Sequence, residues 1–211
     1  MYRLRGLYAI TPDEDGSARL SLKVEAAIAG GATAIQYRNK RAAPSLRLTQ
    51  ARALALICRE LEALFIVNDD AALAAEVEAD GVHLGEEDGD IAAARGIVGD
   101  AAMIGVSCYG DIERARRLVG EGAGYVAFGS FFPSTIKPNA RRAHPSVLTA
   151  AKALGVPVVA IGGITADNAR TLIDAGADAV AVISDIFAHD AREDIVRAAA
   201  AIAANFENTA T

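Results

Sequence analysis

The chain has 211 residues, 52% of them hydrophobic and only 5% aromatic, with a formal net charge of −6. That length carries one large domain or two small ones, and the apolar fraction excludes a disordered chain. The acidic balance argues against a polyanionic partner, whether nucleic acid or an anionic membrane surface, so any basic cluster must be local.

The start, "MYRLRGLYAITPDEDG", has too short an apolar run for a signal peptide, and acids follow at once. No stretch reaches the ~18 apolar residues of a membrane span. A cytoplasmic protein is the expectation. Cys58 and Cys108 show no metal-ligand spacing and are expected to be reduced, packed thiols.

Short apolar runs rich in β-branched residues recur along the chain: "LYAIT" (7–11), "AIQYR" (34–38), "LFIVN" (64–68), "GVHLG" (81–85), "MIGVS" (103–107), "YVAFG" (125–129), "VVAIG" (158–162) and "AVAVIS" (179–184). Between them lie segments with helical spacing, such as "SLRLTQARALALICRELEAL" and "TADNARTLIDAGA". Strand followed by helix, eight times, predicts an α/β protein, a single (β/α)8 TIM barrel over 1–211 with a tail frayed from about residue 205. The rival, an open doubly wound sheet, would more often carry a G-x-G-x-x-G turn after its first strand, and none is present.

Barrel chemistry is built at the carboxyl ends of the strands. At strand 2, Gln36, Arg38 and Lys40 stand at every second position, which on a continuing strand would place them on one face. Either that face is simply solvated or it is a wall of donors aimed at an anion. Strand 3 ends in Asn68, Asp69 and Asp70, and strand 4 runs into Glu86, Glu87 and Asp88. One or two carboxylates plus substrate phosphate oxygens are the usual way to hold Mg²⁺, which fits Asp69 and Asp88; Asp70 is expected to cap the next helix.

Strand 5 ends in Ser107, and strand 6 opens into a long loop carrying Ser134, Thr135, Lys137, Arg141 and Arg142. Loops of this length tend to be functional, and this one could close over an anion. After strand 7 come Gly162 and Gly163, and after strand 8 Ser184 and Asp185, where such barrels often bind phosphate. Plain turn glycines and a helix-capping serine are the bland alternatives. The three histidines, His83, His144 and His189, suggest no triad; His83 is expected to be a satisfied interior residue.

With "QYRNK", "FIVNDD", "DGVHLGEED", "IGVS", "FGSFFPSTIK", "AIGGIT" and "AVISDI" in this order, the chain resembles the thiamine-phosphate synthase family. "IGGI" occurs in many phosphate-binding barrels, whereas "NDD" followed by "GVHLGEED" is much more specific. The resemblance implies a transferase of thiamine biosynthesis that joins hydroxymethylpyrimidine diphosphate to a thiazole phosphate, carboxylated or not, and releases diphosphate. Gln36, Tyr37, Arg38, Asn39, Lys40 and Asn68 would bind the pyrimidine diphosphate, with Ser107 near the pyrimidine. Asp69 and Asp88 would hold Mg²⁺, and Lys137 would reach the diphosphate. Ser134, Thr135 and Ile136 would hold the thiazole, with its phosphate on Gly163 and on the backbone of Ile183 and Ser184. Arg38, Lys40, Ser107 and Lys137 would form the catalytic set.

In one place the chain departs from the family pattern. The family loop usually reads Pro-Thr-x-Thr-Lys, and here it is "PSTIK", with Ile136 in place of the second Thr. Either Thr135 substitutes through a small shift of the loop, or the thiazole and its carboxylate are handled differently. The alternatives are a thiazole tautomerase-like barrel or a ligand-binding regulator without synthase activity. A tautomerase would lack the Asp pair and carry a His two residues after the strand 5 Ser, where Tyr109 stands here. The preferred thiazole and the oligomeric state stay open.

Overall fold

A computed structural model of the chain describes residues 4–86, 90–133 and 142–209. Eight parallel strands close into a barrel in sequence order. They are β1 (Gly6–Ile10), β2 (Ala32–Tyr37), β3 (Leu64–Asn68), β4 (Gly81–Leu84), β5 (Met103–Tyr109), β6 (Tyr125–Phe128), β7 (Val158–Ile161) and β8 (Ala179–Val182). The ring is closed by β1 on β8, with Leu7 opposite Val180. All eight lie where the apolar runs predict them.

The helices that cover the barrel are α1 (Ser17–Ala29), α2 (Pro44–Glu60), α3 (Ala71–Glu76), α4 (Ile91–Val98), α5 (Ile112–Gly120), α6 (Ser146–Ala151), α7 (Ala166–Asp174), the short α8 (Ser184–Phe187) and α9 (Arg192–Ala203). Several returns from helix to strand use a glycine with positive φ, as at Gly155 (75°) and Gly176 (117°), where a side chain would be strained. Residues Ala204–Thr209 continue as a 3-10 helix, and Asn205 Nδ2 donates to the Ala166 carbonyl at 3.2 Å. A polar side chain that reaches a helix backbone holds this segment down, and composition does not reveal that contact.

Strand alternation divides the core in two. Leu7, Ala9, Ile35, Phe65, Val67, Val82, Ile104, Val126 and Phe128 face outward and pack under the helices. Tyr8, Ile10, Ala34, Leu64, Ile66, Tyr125, Ala127, Val159, Ala179 and Ala181 fill the barrel. Period-2 alternation in a twice-covered sheet makes both faces apolar, hence the continuous hydrophobic runs in the sequence. Cys58 and Cys108 are buried free thiols, as expected, and burial raises both to about 12.

Candidate active site

At the carboxyl end of β2, strand structure stops at Tyr37. Only Gln36 therefore keeps the inward position that alternation assigns; Arg38 and Lys40 belong to the loop that follows. This corrects the expectation of one continuous face. The loop is held by the segment after β1. Thr11 Oγ1 donates to the Arg38 carbonyl at 3.0 Å and accepts from the Arg38 N–H at 2.9 Å. Asp13 Oδ1 accepts from the Lys40 N–H at 2.9 Å and lies 3.4 Å from the Arg38 guanidinium.

Tyr37 and Asn39 point elsewhere. Tyr37 is buried among the outward-facing residues, and its hydroxyl donates to Gln50 Oε1 on α2 at 2.8 Å. Asn39, also buried, donates to the Glu14 carbonyl at 2.8 Å and to Gln50 Oε1 at 3.1 Å. Both side chains lock the loop onto α2 and α1's leading segment. Gln50 completes the lock by donating to the same Glu14 carbonyl at 2.7 Å.

Asp69 follows β3 in a left-handed conformation (φ 64°) that Asp tolerates better than most residues. Its N–H donates to the His83 carbonyl at 2.8 Å, and its carboxylate meets Lys40 Nζ at 3.0 Å. The structure thus joins Lys40 to Asp69 directly and to Arg38 through Asp13. Asp70 is the expected cap: Oδ1 accepts from the Leu73 N–H at 2.9 Å, and Oδ2 pairs with Arg47 at 2.9 Å. Asp88 and the segment Ser134, Thr135, Ile136, Lys137 and Arg141 lie outside the described residues.

Asn68, at the end of β3, shares the inward register of Leu64 and Ile66. Ser107, near the end of β5, bonds through Oγ to His83 Nε2 at 2.9 Å. Its carbonyl accepts from Arg114 Nε at 3.0 Å, and the Arg114 guanidinium lies 5.9 Å from the Tyr109 ring centre. The register of β5 on β6 shifts between Ser107 and Tyr109, and Tyr109 has φ 55°. That bulge re-aims the strand at its mouth and leaves Tyr109 44% exposed.

His83 is buried and satisfied, as expected, with Nδ1 2.9 Å from the Tyr125 hydroxyl. The Tyr125 hydroxyl lies 3.0 Å from that of Tyr8, which accepts from Gln36 Nε2 at 2.8 Å. Sequence reasoning missed these tyrosines, as it missed Thr11 and Asp13. Tyr125 has one local signal, Gly105 on the neighbouring strand, where any Cβ would collide with the Tyr125 ring.

Gly162 (φ 108°) and Gly163 (φ 63°) follow β7. A Cβ on Gly162 would strike Ser130, and one on Gly163 the Pro133 carbonyl. The approach of segment 130–133 is thus reason enough for both glycines, independent of a ligand. The helix α8 starts after Ile183 with no side-chain cap, so Ser184 is its first residue and not its cap. Buried Lys23 donates to the Phe187 carbonyl at 3.3 Å and pairs with Asp190 at 3.0 Å, which fixes the other end of this short helix.

The described residues contain no cluster of three His, Cys, Asp or Glu side chains able to hold a metal. The donor set at Asp69 still suits Mg²⁺: a hard carboxylate beside cations that recruit phosphate oxygens, which supply most of the remaining ligands at such sites. Among the described residues no helix is long and apolar enough to cross a membrane.

The sequence profile of the family described as "Thiamine monophosphate synthase" matches residues 7–186. The thiamine-phosphate synthase of Methylobacillus flagellatus is 54% identical over 184 residues, covering 87% of this chain and 88% of its own. That of Chromobacterium violaceum is 53% identical over 204 residues and 97% of each chain. The solved thiamine phosphate pyrophosphorylase of Pyrococcus furiosus superposes with a TM-score of 0.84 at 37% identity, over 96% of this chain and 95% of its own. The chain belongs to the thiamine monophosphate synthase family and is a transferase of thiamine biosynthesis.

Proposed function

We propose that the carboxyl-end mouth of the barrel joins hydroxymethylpyrimidine diphosphate to a thiazole phosphate and releases diphosphate. The observation that carries this reading is the pair of ion contacts, Arg38 with Asp13 at 3.4 Å and Lys40 with Asp69 at 3.0 Å, at adjacent strand ends. Partly exposed pairs of this kind contribute only about 0–1 kcal/mol. Diphosphate oxygens can therefore replace the carboxylates at Arg38 and Lys40 at little cost, and Asp69 is then released toward a metal. In this reading the side chains of Tyr37 and Asn39 hold the loop, which leaves their backbone to face the substrate.

The bond to break joins the pyrimidine methylene carbon to a diphosphate oxygen, which leaves with the electron pair. Arg38 and Lys40 stabilise the charge that grows on the departing oxygens. Gln36 and Ser107 orient the heterocycle, which develops the complementary positive charge. The thiazole nitrogen lone pair then forms the new bond to that carbon. The product nitrogen is quaternary and has no proton to lose, so the step needs no general base. Orientation and charge stabilisation suffice. Mg²⁺ held by Asp69, with Asp88 as the second carboxylate, would neutralise the diphosphate as it departs. Gly163 and the Ile183–Ser184 backbone are proposed to take the thiazole phosphate, and Ser134, Thr135, Ile136 and Lys137 to cover it.

The test is diphosphate release by purified protein given both substrates, with and without Mg²⁺. Release that requires all three components is expected. Binding of both substrates with no release would overturn the reading in favour of a regulator.

A further inference from the structure

Four hydrogen bonds run without a break through the barrel interior, from Gln36 to Tyr8, to Tyr125, to His83 and on to Ser107, at 2.8, 3.0, 2.9 and 2.9 Å. We propose that this chain is a polarity relay: Tyr8, Tyr125 and His83 act as positioning residues that fix Ser107 as a hydrogen-bond donor, and the Gln36 carbonyl as an acceptor, toward the bound pyrimidine. The proposal rests on the reaction assigned above and adds to it three residues that touch neither diphosphate nor metal.

The direction is set by the Gln36 amide, whose nitrogen faces the Tyr8 oxygen, and the rest follows from counting hydrogens. Gln36 donates from its amide nitrogen to the Tyr8 oxygen, so the Tyr8 hydrogen is left for Tyr125. The Tyr125 oxygen then accepts, and its own hydrogen goes to His83 Nδ1. A neutral imidazole that accepts at Nδ1 carries its proton on Nε2, which donates to Ser107 Oγ. The serine hydroxyl hydrogen is thereby left for a ligand, and so is the Gln36 carbonyl oxygen. Any mixed arrangement would leave one phenolic hydrogen without an acceptor in a fully buried site, at a cost of about 1–3 kcal/mol. The relay is therefore cooperative, and its two ends are always of opposite character.

The surroundings keep it intact. Burial holds both phenols well above their ordinary titration range, so each retains its hydrogen at any physiological pH. The Tyr125 ring stacks on His83 at 28° and meets Tyr8 edge-on at 77°, over space that Gly105 leaves open. Arg114 braces the Ser107 carbonyl from outside the barrel.

The chemistry of the partner follows. A pyrimidine ring nitrogen offers only a lone pair, so a serine facing it must donate. A carbonyl acceptor at the other end suits a heterocycle edge that also carries an N–H. The opposite polarity, with Ser107 accepting, would repel the ring nitrogen.

The test begins with the tautomer of His83, one of three histidines. In ¹⁵N NMR of the ligand-free protein, with the signal assigned by its loss in His83→Gln, His83 is expected as a single tautomer protonated at Nε2. Protonation at Nδ1, or averaging between tautomers, would overturn the relay whatever the enzyme's activity. Tyr125→Phe and Tyr8→Phe keep their rings and cut the chain at different points. Each is expected to raise KM for the pyrimidine diphosphate about tenfold, the weight of one oriented hydrogen bond, and to leave KM for the thiazole phosphate unchanged. The double variant is expected to be no worse than either single one, because a chain broken once is already broken. Equal effects on both KM values, or additive losses, would mean the tyrosines serve packing alone and would overturn the positioning role. The expected tautomer in a protein that turns over neither substrate would instead overturn the assigned reaction.

Discussion

Both ends of this barrel carry aspartates, and they use them differently. At the amino ends of the strands, Asp80 Oδ2 accepts from the Phe65 N–H at 2.8 Å and Asp178 Oδ2 from the Val158 N–H at 2.9 Å. These are bonds to backbone donors that cannot move without moving a strand. At the carboxyl ends, Asp69 meets the flexible Lys40 ammonium, and Asp13, which also accepts from the Lys40 N–H, meets the Arg38 guanidinium at 3.4 Å. Those side-chain partners can leave. A carboxylate bonded only to backbone stabilises the fold, and a side-chain ion contact is available for exchange. In a barrel the difference separates the face that holds the structure from the face that does the chemistry.

Substitutions at the two faces should therefore separate activity from stability. The largest effect is expected at Asp69. Asp69→Asn keeps the shape and the left-handed backbone, and should lower turnover by about 10²-fold or more with an unchanged melting temperature. A large fall in melting temperature would place Asp69 with the structural aspartates. Arg38→Ala should cost on the order of 10²-fold in turnover for the same electrostatic reason, with little loss of stability.

At the opposite face the signs reverse. Asp178→Ala should destabilise by about 1–3 kcal/mol in denaturant titration, because the Val158 N–H loses its acceptor. Its kcat/KM should stay within about twofold of wild type, the scatter expected for a site that touches no reacting group.

The smallest effect is expected at Asp190. Its carboxyl is held below the ordinary range by Lys23 and Arg19. A depressed folded-state pKa contributes stability above the unfolded value, about 4, and loses it as pH falls through the folded one. The difference in melting temperature between wild type and Asp190→Asn should be small at pH 7 and vanish as pH drops below about 4. A difference that grows on acidification would contradict the linkage.

The fold was legible because its signals are local. Apolar runs at regular spacing, glycines at the helix returns and Asp70 ahead of an alanine-rich helix each report a neighbour within a few residues. Gln36, Asp69 and Ser107 were legible too, as polar residues at the ends of apolar strands. Arg38 and Lys40 were singled out for a partly mistaken reason. Their alternation looks like a strand face, yet pairing stops at Tyr37 and the loop is shaped by Thr11 and Asp13. Asp13, within "TPDEDG", showed only as charge, because its partners lie more than 20 residues away.

The tyrosines were hidden more deeply. On "LYAIT" and "YVAFG" they look like ordinary strand formers, and their hydroxyls meet across 117 residues of chain. No periodicity reports a contact at that separation. Only Gly105, small where its neighbours are large, hints that a ring lies across it.

The proposed chemistry depends most on the carboxyl-end cations holding the diphosphate. Calorimetric titration of hydroxymethylpyrimidine diphosphate into wild type, Arg38→Ala and Asp178→Ala tests it without requiring turnover. The expected result is binding by wild type and Asp178→Ala, with at least tenfold weaker binding by Arg38→Ala, as expected when a charge-assisted contact is lost. Undiminished affinity in Arg38→Ala would contradict the assignment of this mouth as the diphosphate site.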